Sequence, residues 1–385
     1  MSVTAPAGFR AAGIPAGIKP QGGRDLAMLV NDGPQDAAAG VFTTNRVKAA
    51  PVLWSQQVLQ ERKLRAVVLN SGGANACTGP EGFQDTHATA ERAAGAVGIG
   101  AIEVAVCSTG LIGQRLPMDA VLSGVDTAAD ALDSGEAAGT DAAAAVLTTD
   151  SRPKQALVAG TGWSVGGFAK GAGMLAPNMA TMLAVLTTDA VVTGEALESA
   201  LREVSARTFG RLDVDGGTST NDTVLVLASG ASGVQPRPEE FAEVLQETSG
   251  RLVRELQHDA EGATKAVDIT VRGARTEDDA VRIGRVVAED NLVKTALFGS
   301  DPNWGRIAMA LGRSGVDFDV DRARIDTNGV TLFAGGTPAT DREQVDLGGR
   351  DVSIVIDLGL GGSEATILTT DLSHAYVEEN SAYSS

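Results

Sequence analysis

The sequence predicts a layered α/β (α+β) protein, with sheets whose faces are covered by helices. Short apolar runs that stop at Gly, Ser or Asn turns, such as RAVVLN (65–70) and IEVAVC (102–107), read as buried strands. Ala-rich stretches of helical length separate them, which is the alternation expected when helices pack on a sheet. The run KAVDITVRGA (265–274) instead alternates apolar and polar residues, as a half-buried strand does.

Taken in chain order, QDTHATAERAAGAVG (84–98) reads as a helix, with Gly98 as its C-terminal stop. A second helical stretch within 116–135 and a third Ala-rich one lead to VLTTD (146–150). MLAVLTTDA (182–190) is a strand, and the helix over 193–210 opens with Thr193 as N-cap and ends at Gly210. DTVLVLASG (222–230) is a strand, and 238–259 is a long amphipathic helix. A helix is expected after Glu277, then the block LVKTALFGSDPNWGR (292–306) and a β-rich region read as antiparallel hairpins. The polar RGARTEDD (272–279) suggests a division into domains 1–275 and 276–385, the second the smaller.

Composition narrows the function. The 385 residues suffice for two domains, and 43% hydrophobic with 21% charged residues is ordinary for a water-soluble fold. A formal charge of −18 disfavours nucleic acid or an anionic membrane as partner. The N-terminal stretch has no basic start followed by an apolar block, and no run is long enough to span a bilayer. Cys77 and Cys107 make no disulfide framework and suit a reducing cytoplasm. His87, His258 and His374 lie far apart without ligand spacing, so no metal is expected.

Two motif-like strings carry less than they promise. GWSVG (162–166) matches G-x-S-x-G, but the adjoining FAKGAGMLAPN (168–178) is too rich in Gly and Pro for the helix that a nucleophile elbow needs. Ser164 therefore reads as a turn serine. GLGGSEA (359–365) precedes a β-like run instead of a helix, and reads as a hairpin turn, not a phosphate loop. Five polar Gly-rich segments (69–79, 107–113, 213–223, 259–265 and 300–306) adjoin apolar runs. Each alone is a turn; together, at strand ends, they are where small donors converge on a ligand.

Thr181 can be argued chemically. A threonine hydroxyl needs a base, and no histidine stands near any candidate Ser or Thr. Cutting the bond before Thr181 supplies one, because the freed α-amine has a pKa of about 7.7–8.0. Attack of the Thr181 hydroxyl on the Ala180 carbonyl, then hydrolysis of the ester, makes that cut autocatalytic. The small Ala180 and its Gly/Pro-rich approach fit a strained turn.

The pieces AKGAGMLAPNMATMLA (169–184), CSTGLIG (107–113), TTDSRPK (148–154), DAEGATK (259–265), LVKTALFGSDPNWGR and the ending NSAYSS resemble, in order and across nearly the whole chain, the self-cleaving glutamate/ornithine N-acetyltransferases of arginine biosynthesis. The resemblance implies an αββα sandwich with the site between two domains. It implies cleavage at Ala180–Thr181 into chains 1–180 and 181–385, assembled as α₂β₂. Thr181 takes the acetyl group from N²-acetyl-L-ornithine and passes it to L-glutamate, and Thr109 and Gly110 form the oxyanion hole. Substrate contacts carry over to Thr148 (or its neighbour Thr149), Lys170, Thr181, Glu261, Asn380 and Ser385. Lys170 suits a substrate carboxylate and Glu261 an ammonium. No cofactor is implied, although acetyl-CoA is open as a second acetyl donor.

Three positions depart from the family pattern: Gly73 in place of Asn, Gln114 in place of an acid, and Ser385 in place of Thr. The first two bear on local geometry or an ion pair, and the third keeps its hydroxyl. Two rival readings remain: an N-terminal-nucleophile amidase or aminopeptidase that passes the acyl group to water, and an inactive relative that only binds. The intact Ala180–Thr181 and Thr109–Gly110 pairs weigh against the second.

Overall fold

The computed structural model describes residues 2–175 and 182–382. Strands β1 (Phe9–Ile14), β2 (Leu26–Asn31) and β3 (Ala37–Phe42) precede α1 (Ala50–Val58), β4 (Ala66–Ser71), α2 (Gly79–Val97) and β5 (Val104–Thr109). Helices α3 (Met118–Asp130) and α4 (Glu136–Ala145) lead to β6 (Lys154–Ala159), β7 (Ser164–Lys170) and β8 (Leu183–Thr188). Next come α5 (Gly194–Arg207), β9 (Thr223–Ala228), α6 (Pro238–His258) and β10 (Ala266–Ala274). The remainder holds α7 (Glu277–Ala288), α8 (Asn291–Phe298) and α9 (Trp304–Gly312), then β11 (Arg324–Thr327), β12 (Val330–Ala334) and β13 (Thr337–Pro338). Strands β14 (Asp351–Asp357) and β15 (Ser363–Thr370) and helix α10 (His374–Ala382) close the chain.

Two sheets stack face to face, one ordered β1-β2-β4-β5 and the other β3-β9-β8-β7-β6. Side chains alternate along a strand, and β8 divides its residues accordingly. Leu183 and Val185 enter the core shared with Phe9, Leu29 and Val106 of the first sheet. Ala184 and Leu186 enter a second core with Leu197 and Leu201 of α5 and Leu245 and Leu252 of α6. Helices α2 and α3 pack on the first sheet. The layers therefore run α, β, β, α, the expected sandwich. Gly98, in the left-handed region at φ +75°, ends α2. That helix starts at Gly79, earlier than read from sequence, with Pro80 in its first turn. The Thr193 hydroxyl caps α5 through Ala196 N, and α5 ends at Arg207, before the expected Gly210.

The third sheet is ordered β13-β12-β11-β14-β10-β15. Its strands are not all hairpins, because β14 lies parallel to β10. A parallel neighbour requires a crossover, here carried by α7 to α9, whose Ile283, Val287 and Ile307 pack with Ile269 and Ile354 of the sheet. The loop at Gly359 is likewise no hairpin turn. It passes over the end of β10, where Leu360 N and Gly361 N both donate to Gly273 O. An expected division at 275/276 would cut β10 from the sheet it belongs to; the change of sheet falls between α6 and β10. Ser164 opens β7 opposite Ala159 of β6, so it is a strand residue and not a turn serine. No helix among the described residues is long and apolar enough to cross a membrane.

Candidate active site

The two stacked sheets bring the ends of β5 and β7 together. Thr109 is the last residue of β5, and its carbonyl accepts from Gly72 N and Gly73 N at 3.0 and 3.1 Å. The chain then turns at Gly110, with φ +130°. A Cβ there would lie 2.5 Å from Gly73 N and 2.7 Å from Gly72 C, so only glycine fits the approach. Lys170 is the last residue of β7 and is 1% exposed. Its Nζ donates to Thr148 Oγ1 at 2.9 Å and to Thr109 Oγ1 at 3.4 Å. These contacts join a strand end of each sheet to the loop after α4.

Behind Lys170 runs an alternating chain of buried charges. Its Nζ lies 3.8 Å from Asp150 Oδ2; Lys154 Nζ reaches Asp150 Oδ1 at 2.5 Å and Asp259 Oδ2 at 2.6 Å. Gly171 N and Thr148 N also donate to Asp150. Burial alone would raise the Asp150 carboxyl, but Lys170 and Lys154 outweigh it and hold it down to about 2. Burial lowers the Lys170 ammonium, with Asp150 opposing. Two residues beyond Asp259, Glu261 N donates to Ala172 O, and the Glu261 carboxylate accepts from Asn380 Nδ2 of α10 at 2.9 Å. Helix α10 is anchored in turn by Tyr376, whose hydroxyl donates to Asp215 Oδ2 at 3.3 Å, while Met174 N donates to the same oxygen at 2.7 Å.

Thr109, Gly110, Thr148, Lys170, Glu261 and Asn380 thus line one cleft of about 80 Å³. These are residues expected from the sequence, gathered from positions far apart in the chain. Thr149 lines the cleft as well, but it is the Thr148 hydroxyl that meets Lys170. Ala180, Thr181 and Ser385 lie outside the described residues. Met174, which leads toward the expected cleavage bond, lines the cleft too. On the far side of that bond, Met182 N donates to Asp222 Oδ1 at 3.0 Å, and Met182 O accepts from Thr223 N. Gly73 sits against the Thr109 strand end, and Gln114 is exposed on the surface.

Sequence reasoning did not single out Asp150, Lys154, Asp259 or Asp222. The first three lie inside quoted motifs, but nothing in a sequence distinguishes a buried charge from a solvated one. Asp222 is fully buried, its Oδ2 has no hydrogen-bond partner among the described residues, and burial pushes its carboxyl well above the usual range against hydrogen bonds from Met182 N and Ser219. Asn221, beside it, ties the cleft walls by donating to Ala74 O and Ser108 O at 2.7 and 2.8 Å. No group of three or more His, Cys, Asp or Glu among the described residues is placed to hold a metal ion.

A threonine hydroxyl beside a constrained glycine, a sealed ammonium behind it and a carboxylate opposite suit acyl transfer between small polar molecules, on an αββα scaffold. The chain belongs to the ArgJ family, whose model matches residues 10–385. It is 59% identical to the arginine biosynthesis bifunctional protein ArgJ of Mycolicibacterium paratuberculosis, over 100% of this chain and 96% of that one. The protein of the same name from Streptomyces coelicolor is 57% identical, with 100% of both chains covered. Among solved structures, an ornithine acetyltransferase from Mycobacterium tuberculosis in complex with ornithine matches at 63% identity and TM-score 0.45, over 46% of this chain and 94% of that one.

Proposed function

We propose that the protein is a glutamate N-acetyltransferase of arginine biosynthesis, moving acetyl from N²-acetyl-L-ornithine to L-glutamate through an ester on Thr181. The observation that carries this reading is the cleft itself. The expected oxyanion pair, Thr109 and Gly110, faces the same space as Thr148, Lys170, Glu261 and Asn380. Full-length identity to relatives named for arginine biosynthesis supports the same substrates.

In this scheme the Thr181 hydroxyl attacks the acetyl carbonyl while its α-amine takes the proton. The tetrahedral oxyanion is held by the Thr109 hydroxyl and Gly110 N–H, and ornithine leaves as the amine. Glutamate then attacks the ester, so that one amide exchange becomes two easier steps. Glu261 pairs with the amine of donor or acceptor, and Lys170 supplies positive charge for a carboxylate. Self-cleavage at Ala180–Thr181 creates the α-amine and leaves chains 1–180 and 181–385 to assemble as α₂β₂. Asn380 and, in the same reading, Ser385 contact the substrate, and the cytoplasm is where the enzyme works. The relatives' description as bifunctional favours acetyl-CoA as a further donor.

Incubation with N²-acetylornithine, with and without glutamate, tests the reading. Acetylglutamate should form only when glutamate is present. Acetate as the main product in both incubations would replace the transferase by an amidase. Denaturing electrophoresis should show two chains for the wild type and one for Thr181→Ala.

A further inference from the structure

Lys170 does more than the carboxylate contact proposed for it. An ammonium only donates, whereas a hydroxyl has one proton to give and two lone pairs to accept with. Lys170 Nζ donates to Thr109 Oγ1, so the lone pair on that side is taken and the Thr109 proton must point elsewhere. Among the described residues, no acceptor takes that proton. Within the described residues the Thr109 hydroxyl is therefore an uncommitted donor lining the cleft, with a buried positive charge behind it.

We propose that Lys170 is the positioning residue of the oxyanion site, orienting the Thr109 hydroxyl toward the acyl oxygen and polarising it through the buried ammonium. The proposal rests on the acetyl-transfer reading given above. As Thr181 Oγ bonds to the acyl carbon, the carbonyl π pair moves to oxygen and the Thr181 proton passes to the α-amine. Lys170 and Thr109 transfer no proton; both only donate hydrogen bonds, and collapse of the intermediate returns the pair to the carbonyl as the C–N bond breaks and the α-ammonium gives its proton to the departing ornithine amine. Donation from the ammonium polarises the Thr109 O–H, which strengthens the next hydrogen bond in the chain. It also requires no reorganisation, because Asp150 and the Lys154–Asp259 pair hold the ammonium in place beforehand.

The rival is a lysine that only clamps a substrate carboxylate, or only supports the fold. p-Nitrophenyl acetate separates these, because it carries an acyl group but no carboxylate. Acetylation of Lys170→Met, read as p-nitrophenolate release against a Thr181→Ala blank, should fall about 10²–10³-fold, the loss typical of a disabled oxyanion donor. A Lys170→Met protein that is cleaved and acetylated at the wild-type rate overturns the proposal. If Lys170→Met remains uncleaved, the mature wild-type enzyme decides. The groups facing Lys170 are Asp150, Lys154, Asp222, Glu261 and Lys19, from four segments. Burial lowers the Lys170 ammonium below the ordinary lysine value of 10.5, so the acetylation rate should rise as the α-amine deprotonates and then fall again before that pH. A rate that stays level up to pH 10.5 overturns the proposal.

Discussion

Gly173→Ala separates the chemistry of the cleft from the stability of the fold. Gly173 has no positive φ, so its backbone accepts an alanine. A Cβ there would lie 2.2 Å from Glu261 Oε2 and 2.6 Å from Oε1, whereas real Cβ contacts stay above 3.0 Å. The Glu261 carboxylate must therefore retreat by at least about 0.8 Å, and its flexible side chain can do so without moving the backbone. Replacing glycine at a compatible position stabilises by about 0.4–1 kcal/mol through the unfolded chain. The melting temperature should therefore hold or rise. Misplacing a positioning group by about 1 Å costs about 10²-fold in rate, so kcat/KM for acetyl transfer from N²-acetylornithine to glutamate should fall by roughly that factor. In a Glu261→Ala background the same substitution should add almost nothing, since its target is gone. A folded Gly173→Ala enzyme with kcat/KM within about threefold of wild type, or with an undiminished effect in the Glu261→Ala background, would refute the placement of Glu261 at the reacting end of the cleft.

Asp150→Asn should destabilise by about 3–5 kcal/mol in denaturant unfolding, because it leaves Lys154 and Lys170 buried without their shared counter-ion. Asp150→Asn/Lys154→Met, which removes one charge of each sign, should recover most of that loss. The Asp150 carboxyl is held down to about 2, so its contribution is complete above the ordinary carboxylate pKa of about 4 and is lost as pH falls toward 2. Asp222 titrates with the opposite sign: its folded carboxyl is raised, so stability is lost as pH rises out of the ordinary carboxylate range. Asp222→Asn should flatten that slope in melting temperature and keep an acceptor for Met182 N–H, whereas Asp222→Ala should cost about 1–3 kcal/mol by leaving that buried donor unpaired. Tyr376→Phe removes the hydroxyl that ties α10 to Asp215. It should raise KM more than it lowers kcat in steady-state transfer, since Asn380 sits one turn further along that helix.

Strands β4, β5 and β9 were legible because they are buried on both faces and read as unbroken apolar runs. Strand β7 was not, since Gly166 and Gly167 make it look like a loop. Their glycines serve close packing instead: a Cβ would meet Ser2 O at 2.5 Å in the first case and Val185 O at 2.7 Å in the second. Helix α10 escaped for the opposite reason. It buries no side chain, so no apolar stripe marks it, and it is held by polar contacts from Tyr376 and Asn380. The cleft residues were legible through ordered motifs, while the charges that support them were not. Lys154 and Asp150 are four apart and Asp259 is more than a hundred residues away, a spacing with no period to detect.

Yet those supporting charges decide what the cleft can do. A lysine sealed alone in apolar surroundings gives up its proton, because burial penalises the charged form. Here two lysines and two aspartates alternate, so the chain as a whole is neutral and each charge faces its opposite. Its members also carry the backbone that presents the site: Asp150 accepts from Thr148 N and Gly171 N, and Asp259 is two residues from Glu261. Moving any one of them shifts a residue of the cleft as well as a charge. Lys170 can then remain an ammonium at the Thr109 hydroxyl while excluded from water, where a fixed positive charge stabilises a developing oxyanion far more than it would in solvent.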